Sequence, residues 1–100
     1  MKRVINEITH TSVDKLDLKK TYYAIYGGPK LLYKLHRIDD DRGYAWVDMF
    51  NSKCWADGRH TSPQQAIRSA LNDSFCIGVY VIDDAHDLIA LLNKIDKREI

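Results

Sequence analysis

The spacing of hydrophobic and polar positions changes several times along this chain, and each change marks an element. From Thr21 the run Thr-Tyr-Tyr-Ala-Ile-Tyr is dense in β-forming side chains, and it stops at Gly27-Gly28-Pro29. Leu31, Tyr33 and Leu35 then alternate with Leu32, Lys34 and His36, so residues 21–38 predict a hairpin with a Gly-rich connection. After the turn Asp39-Asp40-Asp41-Arg42-Gly43, Tyr44, Trp46, Asp48 and Phe50 alternate with Ala45, Val47 and Met49, which completes a three-stranded meander. Residues 51–61 carry a strand-like Lys53-Cys54-Trp55-Ala56 and an Asp57-Gly58 turn, a pattern that fits either a bulged strand continuation or a short hairpin arm.

At residue 62 the period lengthens to that of a helix. Ser62 and Gln65 make an S-x-x-Q capping box, and Pro63 fits the first helical position because its missing N–H would find no helical partner there. Ala66, Ile67, Ala70 and Leu71 recur as one narrow apolar stripe. Asn72-Asp73-Ser74 supplies turn chemistry before residues 75–82, an apolar run of strand length. Strict alternation puts Phe75, Ile77, Val79 and Val81 on one face and Cys76, Gly78, Tyr80 and Ile82 on the other, which predicts a central strand covered on both sides. Asp83 and Asp84 then offer an N-cap, and Ala85, Leu88, Ile89, Leu92 and Ile95 form a wider stripe that should supply most of the helical side of the core. Residues 1–20 contain only fragments of pattern and are expected to be a loosely packed arm with a turn of helix at 12–18. The prediction is an α+β domain over residues 1–100 in the order β-β-β-α-β-α. It has two layers: a three-stranded antiparallel meander joined by a fourth strand, with both helices on one face.

Composition narrows the class without naming an activity. One hundred residues, 45% hydrophobic and 29% charged, are enough for a core that needs no metal or disulfide. No apolar run approaches the roughly 20 residues of a membrane span, and no secretory pattern follows Met1, so a cytoplasmic protein is expected. Cys54 and Cys76 show no C-x-x-C spacing and read as two reduced thiols. The net charge of +1 hides an asymmetry: residues 1–38 carry a net +5 and residues 39–87 a net −5. If the two segments do not interleave in the sheet, the domain gains a basic and an acidic side.

Catalytic chemistry finds little support in this pattern. Three consecutive aspartates at 39–41 alternate in direction and suit a solvated turn better than a metal cage. His10, His36, His60 and His86 are scattered, and the Cys54/His60 pair lacks a second pair at ligand spacing. Gly27-Gly28-Pro29-Lys30 joins two strands, whereas a phosphate loop leads into a helix. No cofactor, metal or enzymatic activity is expected. Tyr22, Tyr26 and Trp46 with Lys34 nearby offer a sheet face able to stack single-stranded bases, and this is one functional reading.

Taken together, Tyr44-Ala45-Trp46-Val47, Trp55-x-x-Gly58, Thr61-Ser62-x-x-x-Ala66-Ile67-x-x-Ala70-Leu71 and an apolar strand before an acid-capped helix form a layout over residues 22–95. This layout resembles that of small accessory proteins of phages and prophages. The resemblance implies a non-enzymatic protein-binding module, in some such proteins an inhibitor of host defence nucleases, CRISPR effectors included. Partners would then be engaged by surface occlusion or by acidic mimicry of nucleic acid. Asp39, Asp40, Asp41, Trp55, Asp57, Arg59, His60, Asp83 and Asp84 are the residues expected to contact the partner.

Overall fold

Among the described residues, six strands and two helices account for the pattern, and the strands form one antiparallel sheet. The computed structural model describes residues 6–17, 19–27, 31–38, 43–50 and 55–97. In chain order the elements are β1 (Asn6–Ile8), a single 3₁₀ turn (Val13–Lys15), β2 (Thr21–Tyr26), β3 (Leu31–Ile38), β4 (Gly43–Asp48), β5 (Trp55–His60), α1 (Pro63–Asn72), β6 (Cys76–Ile82) and α2 (Ala85–Asp96). The strand order is β1-β6-β2-β3-β4-β5. The class is therefore α+β, with two strands more than the alternation predicts.

Both additional strands have local causes. β5 pairs with β4 through Arg59 opposite Ala45 and Ala56 opposite Trp46, so Asp57 and Gly58 have no opposite number and form a bulge. The ambiguous 51–61 stretch is thus a strand and a bulge at once. β1 pairs Asn6, Glu7 and Ile8 with Val81, Tyr80 and Val79, and Val13 behind it is fully buried. The N-terminal segment is not a loose arm over these residues, because it pairs with the edge of β6 that β2 leaves open.

Insertion of β6 between β1 and β2 also answers the charge question. A strand from the acidic segment lies between two from the basic segment, so the two do not form separate sides.

The helices lie on opposite faces of the sheet, which corrects the two-layer prediction. Tyr22, Ala24, Tyr26, Tyr33, Trp46 and Val79 form one cluster with Ile8, Val13 and the α1 residues Ala66, Ile67 and Ala70. Tyr23, Ile25, Leu32, Tyr80 and Ile82 form a second cluster with Leu91 of α2, and Leu88 and Ile95 pack against it. Successive residues of β2 alternate between the clusters, as a strand's two-residue period requires. The physical reason is that β2 and β6 are apolar on both sides. A single layer of helices would leave one apolar face in water.

α2 is also rotated from its predicted setting. It buries Leu91, half-buries Leu88 and Ile95, and leaves Ile89 and Leu92 exposed, so most of the helix-side core comes from α1. Its broad apolar content allowed two stripes, and contact with Tyr80 and Ile82 selected the one that includes Leu91. A bulge adjusts β6 as well. Ile25 pairs with Gly78 but Tyr26 pairs with Cys76, so Ile77 is skipped and the alternation slips by one. Cys76 therefore packs with the α1 cluster, whereas Phe75 and Ile77, expected alongside Val79, are exposed.

α1 is anchored at its start and along its length. Ser62 Oγ accepts from the Gln65 N–H at 3.1 Å, and Gln65 Oε1 accepts from the N–H of Thr61 at 2.6 Å. This is the capping box, displaced by one residue on its return leg. Arg68 pairs with Asp14 of the 3₁₀ turn, and Trp46 Nε1 donates to the carbonyl of Ala66 at 3.0 Å in the buried interface.

Candidate functional site

Because α2 packs over β6, β2 and the first part of β3, it leaves the rest of its sheet face without a helix. Among the described residues no other helix lies on that side. The register assigns the open area residue by residue. Lys34 stands opposite Val47, His36 opposite Ala45, and Arg59 opposite Ala45 on the far side, so all of these share the face of Leu32. Met49 continues the alternation, and its N–H donates to the carbonyl of Leu32 at 3.0 Å. His36, Arg59 and Met49 are exposed, Lys34 and Val47 are half-buried, and Ala45 is fully buried between its longer cross-strand neighbours. The result is a short apolar floor of Val47 and Met49 with three basic side chains around it.

The electrostatics of this face are one-sided. Partial desolvation of the ring, and then the Lys34 ammonium, hold the His36 imidazole below its ordinary value of 6.5. A base whose folded value is depressed takes up its proton later in the fold than in the unfolded chain. Its contribution is therefore complete above pH 6.5 and is lost as pH falls below that, through the lower folded value. Stability should decline on acidification below this point, and His36→Gln should reduce the slope. A ¹H–¹³C titration should place the His36 midpoint below 6.5; a midpoint at or above it would contradict the assignment.

The sequence-predicted contact residues are distributed differently. Arg59 lies on the open face, as does Lys34 from the base-stacking reading. His60 is buried on the other side of the sheet, opposite Tyr44, with 8% exposure, and cannot reach a partner on the open face. Asp83 and Asp84 are exposed at the start of α2, but both have structural work. Asp83 pairs with Lys20 at 3.2 Å, and Asp84 Oδ1 accepts from the N–H of Asp87 at 3.0 Å as the N-cap. Trp55 and Asp57 lie on the backbone of β5, and their side chains, together with Asp39, Asp40 and Asp41, fall outside the described residues. The acidic residues thus do not converge on one described surface.

The aromatic stacking platform is overturned in its predicted form. Tyr22, Tyr26 and Trp46 are 4%, 7% and 0% exposed, enclosed by α1, and Tyr26 meets Tyr33 edge-on with centroids 5.3 Å apart. Rings in that position offer no face to a base. Cys76, the described cysteine, is a free thiol whose burial pushes its pKa up to about 11, far from the range of a nucleophilic thiolate. Among the described residues no group of three His, Cys, Asp or Glu side chains is placed to hold a metal ion, and no helix is long and apolar enough to cross a membrane.

Sequence reasoning missed His36, Val47 and Met49. A signal was present: the even positions of β3 turn from Leu32 to Lys34 and His36, while both faces of β2 stay apolar. That change marks where a covering helix ends.

Comparison with known family models, curated proteins and solved structures finds no match to this chain.

Proposed function

We propose that this protein is a non-enzymatic binding module that docks an acidic protein surface on the uncovered part of its sheet, over β3, β4 and β5. The observation that carries the reading is the composition of that surface: Val47 and Met49 at the centre, with Lys34, His36 and Arg59 at the margin. Protein interfaces combine an apolar centre with a polar rim in this way, and the cations favour a partner of opposite sign. A single-stranded nucleic acid fits less well, since stacking needs exposed rings and Tyr22, Tyr26 and Trp46 are enclosed. In the form implied by the resemblance to phage accessory proteins, the partner is a component of a host defence nuclease and binding occludes its working surface.

The charge-reversed double variant Lys34→Glu/Arg59→Glu tests the proposal. Affinity capture from the host lysate with the native chain should retain a protein that the variant loses, and nuclease treatment should leave that capture unchanged. Equal capture by both forms, or loss of the captured species on nuclease treatment, would overturn it. Each lost rim charge should act mainly through a slower, salt-dependent association.

A further inference from the structure

Besides the stripe that packs on the sheet, α2 shows a second one to solvent. Leu88, Leu91 and Ile95 face the sheet, whereas Ile89 and Leu92 are 55% and 37% exposed and, with exposed Ala85 one turn earlier, recur at i, i+4 and i+7. The hand of the fold decides where that stripe points. The Leu32 carbonyl accepts from the Met49 N–H of β4, and the chirality of an L-residue strand then fixes on which side of β2 the strands β3, β4 and β5 lie, seen from the face of Leu32. α2 follows β6 at Ile82 and runs back over that face. In a right-handed helix of this direction, the residue after each sheet-facing one turns toward β3. Ile89 and Leu92 therefore form a wall beside the uncovered floor of Ala45, Val47 and Met49.

We propose that this trough takes a single amphipathic α-helix of the partner, laid alongside α2 and acidic on both borders of its apolar stripe, an occupant that presupposes the docking face proposed above. Spacing favours a helix. Neighbouring helices pack about 8–10 Å apart and strands lie about 4.8 Å apart, so a helix beside α2, whose own contacts centre on β2, falls two strands further on, over β4. Ala45, the smallest side chain of the floor, gives a helix backbone room for close approach, as Ala66 and Ala70 do for α1 on the other face. The six residues of β4 span about 20 Å, the length of about 13 helical residues.

Charge sets the borders of that helix. Lys34 and His36 of β3 and Arg59 of β5 flank β4 on its two sides, and Lys34 and Arg59 take part in no ion pair among the described residues. Acids on both borders of the incoming stripe would meet them, in the helix-in-groove manner of recognition. A second copy fits less well. The outward surface of α2 carries exposed His86, Asn93 and Lys97, which would set polar and basic residues on a basic floor.

A synthetic helix of about 14 residues, with leucine at i, i+3, i+4 and i+7 and glutamate beside them, is the probe. Titrated into the full chain and followed by ¹H–¹⁵N NMR, it should give saturable shifts at Val47, Met49, Arg59, Ile89 and Leu92, and the peptide should gain helical circular dichroism. Ile89→Asp/Leu92→Asp alters exposed positions away from the sheet contact and should weaken binding at least about tenfold, as should Lys34→Glu/Arg59→Glu. Lysine in place of the peptide's glutamates should weaken it by about the same factor, and two central prolines should abolish it. Absence of saturable shifts at millimolar peptide, equal binding of the proline-interrupted peptide, or unaltered affinity in Ile89→Asp/Leu92→Asp would each overturn the proposal. Dimerisation of the chain in sedimentation, lost in Ile89→Asp/Leu92→Asp, would overturn it in favour of a second copy. If lysate capture is lost in Lys34→Glu/Arg59→Glu but kept in full by Ile89→Asp/Leu92→Asp, the acidic docking face stands and the helix beside α2 falls.

Discussion

Trp46→Ala should lower the unfolding free energy by about 3–5 kcal/mol, the range for deleting a large aromatic side chain from a packed core. Trp46 is fully buried beneath α1, among Tyr22, Tyr26, Ala66 and Ile67. The small alanines of α1 allow the helix to approach closely enough for the indole to fill the gap. Removal would leave a cavity that backbone-rigid neighbours cannot close, and it would also strand the Ala66 carbonyl that accepts from Nε1. Trp46→Phe separates the two contributions. It keeps most of the apolar volume but loses the donor, so it should cost about 1–3 kcal/mol. Urea denaturation monitored by far-UV circular dichroism measures both. A domain of this size has about 5–15 kcal/mol in total, so the alanine variant should be near its folding limit at 37 °C. Equal effects of the two substitutions would show that packing contributes nothing beyond the hydrogen bond.

Gly43→Ala should be nearly as damaging, on the order of 3 kcal/mol, although it adds one methyl group at a strand end. Gly43 opens β4 at φ +99°, a conformation that side-chain-bearing residues rarely adopt, and a Cβ there would overlap the carbonyl oxygen of His60 at the end of β5. Relief requires β5 to move away from β4. His60 leads directly into Thr61 and the capping box of α1, so the displacement would reach the helix start. Gly27→Ala provides the comparison. Gly27 also has positive φ, +51°, but its Cβ would meet its nearest neighbour only at 4.0 Å, so about 1 kcal/mol is expected. Amide hydrogen exchange should show accelerated opening of β5 in Gly43→Ala and not in Gly27→Ala. Similar losses for the two variants would refute the clash.

The proposed surfaces differ in how far the sequence announced them. Lys34 was identifiable as a basic strand residue and Arg59 only as a basic residue after an Asp57-Gly58 turn, and their common location depends on the bulge at Asp57 and Gly58, which sets the register of β5 against β4. A cavity at the end of the sheet where β3 finishes joins Lys20, Arg37 and Pro63, residues far apart in the chain whose relative positions no local pattern encodes. The acids at 83 and 84 looked like a partner surface because they were clustered in sequence. Their spatial partners, Lys20 and the N–H of Asp87, give them structural roles instead.

What the sequence alone determined is local: the hairpin of β2 and β3, the third strand, the capping box that starts α1, the apolar β6 and the Asp-capped α2. Each depends on interactions among residues a few positions apart, such as a side-chain oxygen bonding an N–H three residues on or alternation along one strand. Tertiary structure decided which face each apolar set would cover. β2 and β6 are apolar on both sides, so two faces needed covering, and only the packing of Ala66, Ile67 and Ala70 on one and Leu91 on the other assigned a helix to each. The same assignment enclosed the tyrosines and Trp46 that resembled a binding platform, and it left Lys34, His36 and Arg59 exposed. A strand's period specifies that its side chains alternate, but what lies above each set is a long-range matter of shape and area, which no window of neighbouring residues contains.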